Sequence, residues 1–165
     1  VIINLIVSNK KDAGVLGIAA AAHIDTLLIN RSSFYETADC VNELKIRGIN
    51  FIVLAGFLWK IPESLIEAYP NRIINIHPAL LPKYGGKGMY GNFVHEAVIA
   101  AGEKESGITI HYVDAHYDEG DIIFQAKCSI EPTDTPSSLA TKIHALEHAH
   151  FPVVIEQLLS DLETK

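Results

Sequence analysis

Basic clusters, long apolar runs and cysteine pairs are all scarce in this sequence, and each shortage weighs against a class of function. Lysines and arginines number 13 against 20 acidic residues, for a net charge of -7. With no basic run, the broad cationic face that holds nucleic acid is not expected. An anionic small molecule, which needs only a few local donors, stays compatible. No window approaches the roughly 18 apolar residues of a membrane span, so no membrane partner is expected. The opening "VIINLIV" lacks the basic flank and small-residue cleavage site of a secretory leader. The two cysteines, Cys40 and Cys128, fall in a helical and a strand pattern respectively. Free thiols in a reducing cytoplasm are the expectation. Residue 1 is Val rather than Met, so the chain is expected to start inside a longer natural product.

What is present is enough for one α/β domain spanning 1–165. Strands are expected at 1–8 and in "DTLLIN", "NFIVLAG" and "RIINI", alternating with helical stretches. "NFIVLAG" is continuously apolar, as a parallel strand covered on both faces should be. "SSFYETADCVNELKIRG" predicts one helix, capped by Ser32 or Ser33 and stopped by Gly48. Later, "GITIHYVD" and "DIIFQAKCSI" predict an antiparallel pair. "TDTPSSLATKIHALEHAHFPVVIEQLLSDLE" predicts a long C-terminal helix with Thr135 as cap and a bend near Pro152. Its apolar stripe runs through Leu139, Ile143, Leu146, His150 and Val153, with Glu147 at the edge and His144 and His148 turned away.

In parallel α/β sheets, ligands lie beyond the carboxyl ends of the strands. "RIINIHPALLP" puts Asn75 and His77 at such an end, two residues apart and so on one side. An amide can donate to a developing oxyanion, and an imidazole can move a proton near neutral pH. The same two side chains could equally satisfy loop backbone. In "VDAHYDEGDI" four acids and His116 crowd a turn, and spacing alone does not select one of them. His144 and His148 stand four apart without forming H-E-x-x-H, and no metal site is expected. "KYGGKGMYG" fits neither phosphate-loop pattern, so its glycines serve backbone geometry or close approach to a ligand.

"LAGFLWKIP", "NIHPALLPKYGG", "HYVDAHYDEGDIIFQ" and "LEHAHFPVVI" follow one another in this order. Together they resemble the 10-formyltetrahydrofolate-dependent formyltransferase family over essentially the whole chain. The likeness is greatest to its branch acting in purine biosynthesis on the amine of 5-phosphoribosylglycinamide. The resemblance implies a Rossmann-like, mostly parallel sheet with helices on both faces. It implies catalytic positions at Asn75, His77 and Asp118, with Asp118 keeping His77 protonated. It also implies folate contacts at Leu58, Trp59, Lys60, Ile61, Asn75, Val113, Asp114 and Asp118, and acceptor contacts at Pro78, Gly86 and Glu147. Trp59 and Lys60 depart from the usual Arg-Ile pair, and His111 is either a support for the turn or an ordinary sheet residue. Folate is then a co-substrate, no metal is needed, and a monomer or homodimer is expected. The family's first strand, loop and helix, which cradle the acceptor phosphate, have no counterpart before Val1. Competing expectations are a formyltetrahydrofolate deformylase, a formyltransferase with another acceptor, and a binding module without catalysis.

Overall fold

The computed structural model describes residues 1–163. β1 (Leu5–Ser8) and β2 (Asp25–Leu28) pair in parallel through α1 (Gly14–Ala21). β3 (Ile52–Leu54) and β4 (Ile73–His77) form a second parallel pair through α3 (Glu63–Ala68). β5 (Glu105–Tyr112) runs antiparallel to both β4 and β6 (Ile122–Ser129), giving the order β3-β4-β5-β6. The parallel part is therefore divided: among the described residues no strand joins β1 to β3. Each of these two sheets ends in strands with unpaired backbone groups along one side.

The helix expected over 32–48 is broken in two. A π-helical turn, Ser32–Glu36, precedes α2 (Asp39–Ile46). Thr37 between them is extended, and its Oγ1 accepts the N–H of Asp39 at 3.3 Å. A β-branched hydroxyl residue that can bond its own backbone two residues on competes with helix continuation. The expected cap also shifts. Asn30 Oδ1 accepts the Ser33 N–H at 3.0 Å while Ser33 Oγ accepts the Asn30 N–H at 3.1 Å, so Ser33 is the inner half of a reciprocal cap. Gly48, at φ 67°, ends α2 as expected, with its N–H on Lys45 and that of Ile49 on Leu44.

Adjacent residues of β4 look to opposite faces. Ile73 belongs to a core with Cys40, Leu44 and Leu65 from α2 and α3. Ile74 packs with Ile110 and Phe151, beside a further core of Val94, Val98, Leu139 and Ile143. These come from α4 (Asn92–Ala100) and α5 (Pro136–Glu163). Helices thus cover both faces, and the period-two pleat explains why successive residues such as Ile73 and Ile74 are both apolar and buried.

α5 begins on the expected cap. Ser138 N–H donates to Thr135 Oγ1 at 3.2 Å and Thr135 N–H to Ser138 Oγ at 2.9 Å. It runs as one helix through Pro152, whose missing N–H leaves the His148 carbonyl without its helical donor. The buried stripe departs from expectation at its far end: Val153 is 63% exposed, while Phe151 and Val154 pack inward. His150 does stay on the stripe, tilted against Phe124 at 5.1 Å. Among the described residues no helix is long and apolar enough to cross a membrane.

Candidate active site

β4 delivers Asn75 and His77 to its carboxyl end, facing His111 and Thr109 on β5 in antiparallel register. Beyond β5 the chain reverses through Asp118, which takes φ 57°, a left-handed conformation that Asp tolerates better than most residues. Gly120 completes the reversal because a side chain has no room there: a Cβ would lie 1.9 Å from the Tyr112 carbonyl oxygen. The tight turn carries Asp118 back over the end of β4. Its Oδ2 stands 3.5 Å from His77 Nδ1 and its Oδ1 3.5 Å from His111 Nε2. The Gly86 N–H donates to Oδ2 at 2.9 Å, which ties the glycine loop after β4 to the turn after β5.

The hydrogen bonds assign the protons. His77 Nε2 lies 2.7 Å from the Tyr84 carbonyl, which can only accept, so Nε2 carries a hydrogen. A neutral His77 then keeps its lone pair on Nδ1, toward Asp118. His111 Nδ1 likewise donates to the Tyr112 carbonyl at 2.8 Å. In the neutral ring its Nε2 accepts from Asn75 Nδ2 at 3.2 Å, which fixes the amide with one hydrogen engaged and one available. His111 therefore supports the site rather than serving only as a sheet residue.

Burial sets the charges. It pushes His77 below the ordinary imidazole range, against the pull of Asp118 and the Tyr84 hydrogen bond. The expectation of a His77 kept protonated by Asp118 is thus not met in the free protein, because the ring is 3% exposed and desolvation outweighs a carboxylate 3.5 Å away. Burial also pushes Asp118 upward, but the neighbouring His111 and His77 rings and the Gly86 N–H together hold it below the usual carboxylate range. Asp118 is the fixed anion, and His77 the neutral group beside it. Such a pair can accept a proton on Nδ1 and stabilise the cation that results.

All three groups lie on a cavity of about 620 Å³. Residues 1–155 match the formyl transferase family. The chain belongs to this family. It is 41% identical over 156 residues to the chloroplastic phosphoribosylglycinamide formyltransferase of Arabidopsis thaliana, covering 92% of this chain and 53% of that one. It is 38% identical to the phosphoribosylglycinamide formyltransferase of Bacillus subtilis, covering 94% and 79% respectively. The crystal structure of that enzyme from Bacillus halodurans superposes with a TM-score of 0.85 at 37% identity, over 94% of this chain and 80% of that one. The chain spans about half the length of the first plant relatives it matches, 53% and 52%.

In this family member the cavity is walled by every residue expected to meet folate or acceptor. Leu58, Trp59, Lys60 and Ile61 line it together with Val113 and Asp114, and so do Pro78, Gly86 and Glu147. Ile61 turns its side chain into the core, which leaves backbone as its offering to the cavity. Trp59 packs against Phe34, Tyr35 and Phe57, with the Arg31 guanidinium 5.2 Å over its ring, so the unusual residue is built into the wall. Glu147 is pushed up by burial, against His144 and His148. These two histidines do turn from the core: both are exposed, at the border of the cavity. Among the described residues no group of three metal-ligating side chains occurs. Of the other turn acids, Glu119 and Asp121 border a separate cavity of about 490 Å³, while Asp114 Oδ1 accepts the His116 N–H at 2.7 Å.

Sequence reasoning missed Tyr84, whose carbonyl orients His77, and His95, a buried imidazole on the cavity wall. No signal could have found a backbone acceptor. His95 lies one residue after Val94 and three before Val98 in an apolar helix, where a lone His reads as core.

Proposed function

We propose that the protein transfers the formyl group of 10-formyltetrahydrofolate to the amine of 5-phosphoribosylglycinamide, in purine biosynthesis. The observation that carries this reading is the convergence of Asn75, His77 and Asp118 at the carboxyl end of β4. The plant and bacterial relatives named as phosphoribosylglycinamide formyltransferases support the choice of acceptor.

The free hydrogen of Asn75 Nδ2 donates to the formyl oxygen as negative charge grows there. The acceptor's amine bonds to the formyl carbon, and the carbonyl pair moves to oxygen. The amine's proton passes to His77 Nδ1, where Asp118 stabilises the imidazolium. Collapse of the tetrahedral intermediate breaks the bond to N10 of the folate, and His77 returns the proton to that nitrogen. The products are the formylated acceptor and tetrahydrofolate. The wall formed by 58–61 and 113–118 holds the pteridine largely through backbone groups, and Glu147 meets the sugar of the acceptor. Two free cysteines, Cys40 and Cys128, agree with a reducing compartment such as the cytoplasm.

Full-length protein with both substrates should form tetrahydrofolate only when the acceptor amine is present. Release of formate without the acceptor would overturn this reading in favour of hydrolysis. His77→Ala and Asp118→Asn should each lower kcat by roughly 10²–10⁴ while folate still binds. Unchanged turnover in both variants would refute the assigned roles.

A further inference from the structure

His95 is a buried residue of α4, with 3% of its surface exposed, and lines the cavity with His77 of β4 and His144 of α5. Its Nδ1 is closed to solvent and has no hydrogen-bond partner. Among the described residues Nε2 has no partner either, and it is the ring nitrogen left to the cavity that His95 helps to wall. Burial, then the nearby His144 and His77, hold the ring below the ordinary imidazole range, so it is neutral near pH 7.

A neutral imidazole carries one hydrogen. A buried N–H without an acceptor is the rarer and costlier orphan, so the lone pair belongs on the enclosed Nδ1 and the hydrogen on Nε2. The cavity thus contains one rigid, uncharged donor that no protein group uses. It lines one cavity with His77, at the reacting end, and with His144 and Glu147 of α5, at the end assigned to the sugar. In 5-phosphoribosylglycinamide the group between amine and sugar is an amide.

We propose that His95 is a binding residue for the acceptor, donating its Nε2–H to the amide carbonyl oxygen of the glycinamide group. The inference deepens the formyl-transfer reading and rests on it. It makes the carboxamide a recognised feature of the substrate, because any acceptor lacking that oxygen leaves the donor unpaired.

Calorimetric titration of the full-length protein with 5-phosphoribosylglycinamide alone tests this, followed by steady-state kinetics. His95→Phe keeps a ring of similar size without the donor, and His95→Gln restores an N–H. In the Phe variant the acceptor should bind roughly tenfold more weakly, with KM for the folate within about twofold of wild type. The Gln variant should recover part of the loss. Wild-type affinity in His95→Phe would overturn the inference, and so would a parallel loss of both substrates. If the wild-type protein itself does not bind 5-phosphoribosylglycinamide, the formyl-transfer reading falls with it. That outcome is distinguished by the first titration alone.

Discussion

At the scale of single residues, the site depends on a competition between burial and charge. His77 is neutral because desolvation exceeds what a carboxylate at 3.5 Å returns. The acid limb of kcat/KM should therefore lie below the ordinary imidazole pKa of about 6.5. Because Asp118 pulls the His77 pKa upward, Asp118→Asn should move that limb to still lower pH in whatever activity remains. A pH–rate profile that is unmoved, or that shifts upward, would disprove the coupling. The residue scale is also where the sequence was most legible. Asn75 and His77 could be placed on one side of a strand end from alternation alone, whereas Asp118 was singled out among the turn acids only by the family resemblance. The proton positions could not be read, since they follow from the Tyr84 and Tyr112 carbonyls, and backbone acceptors leave no trace in residue identity.

Elements were legible where local chemistry decides them and opaque where two local preferences compete. Gly48 and Thr135 act as the helix signals they resemble. The 32–48 stretch has helical composition, yet Thr37 breaks it, because its hydroxyl offers the backbone another partner. At the far end of α5 the stripe was drawn through Val153, but the buried positions pass to Phe151 and Val154, as the helix's 3.6-residue period permits. The cap of α5 carries a prediction. Thr135→Ala removes the acceptor for Ser138 N–H and should cost about 1 kcal/mol in urea unfolding. Thr135→Ser should cost little; equal losses in the two variants would argue against the cap. Nearby, hydrogen bonds from Lys142, Ser138 and the Glu131 N–H hold Asp134 at about 2, so this terminus stays tied through mild acid.

For the whole molecule, the same groups link folding to pH. His77 and His95 titrate lower when folded than the 6.5 of an exposed imidazole. Below 6.5 the unfolded chain binds protons that the folded one refuses, so stability falls as pH drops through that window. Asp118 is also depressed, so its contribution is complete above the unfolded carboxylate value of about 3.9 and is lost as pH falls through its folded pKa. Urea midpoints should therefore decline in two separated steps on acidification, and His77→Gln should shallow the upper one. A flat profile between pH 7 and 5 would contradict the burial argument.

The cavity takes Phe57, Trp59 and Ile61 from the core on one face of the sheet and Ile76, Met89 and Phe151 from those on the other. A molecule seated there is shared by both. Binding favours the folded chain by mass action, and here it also fastens two hydrophobic bodies that lie on either side of β4. Ligand supply then acts as a structural variable: a cell rich in whatever fills this cavity holds a stiffer, longer-lived protein than one starved of it.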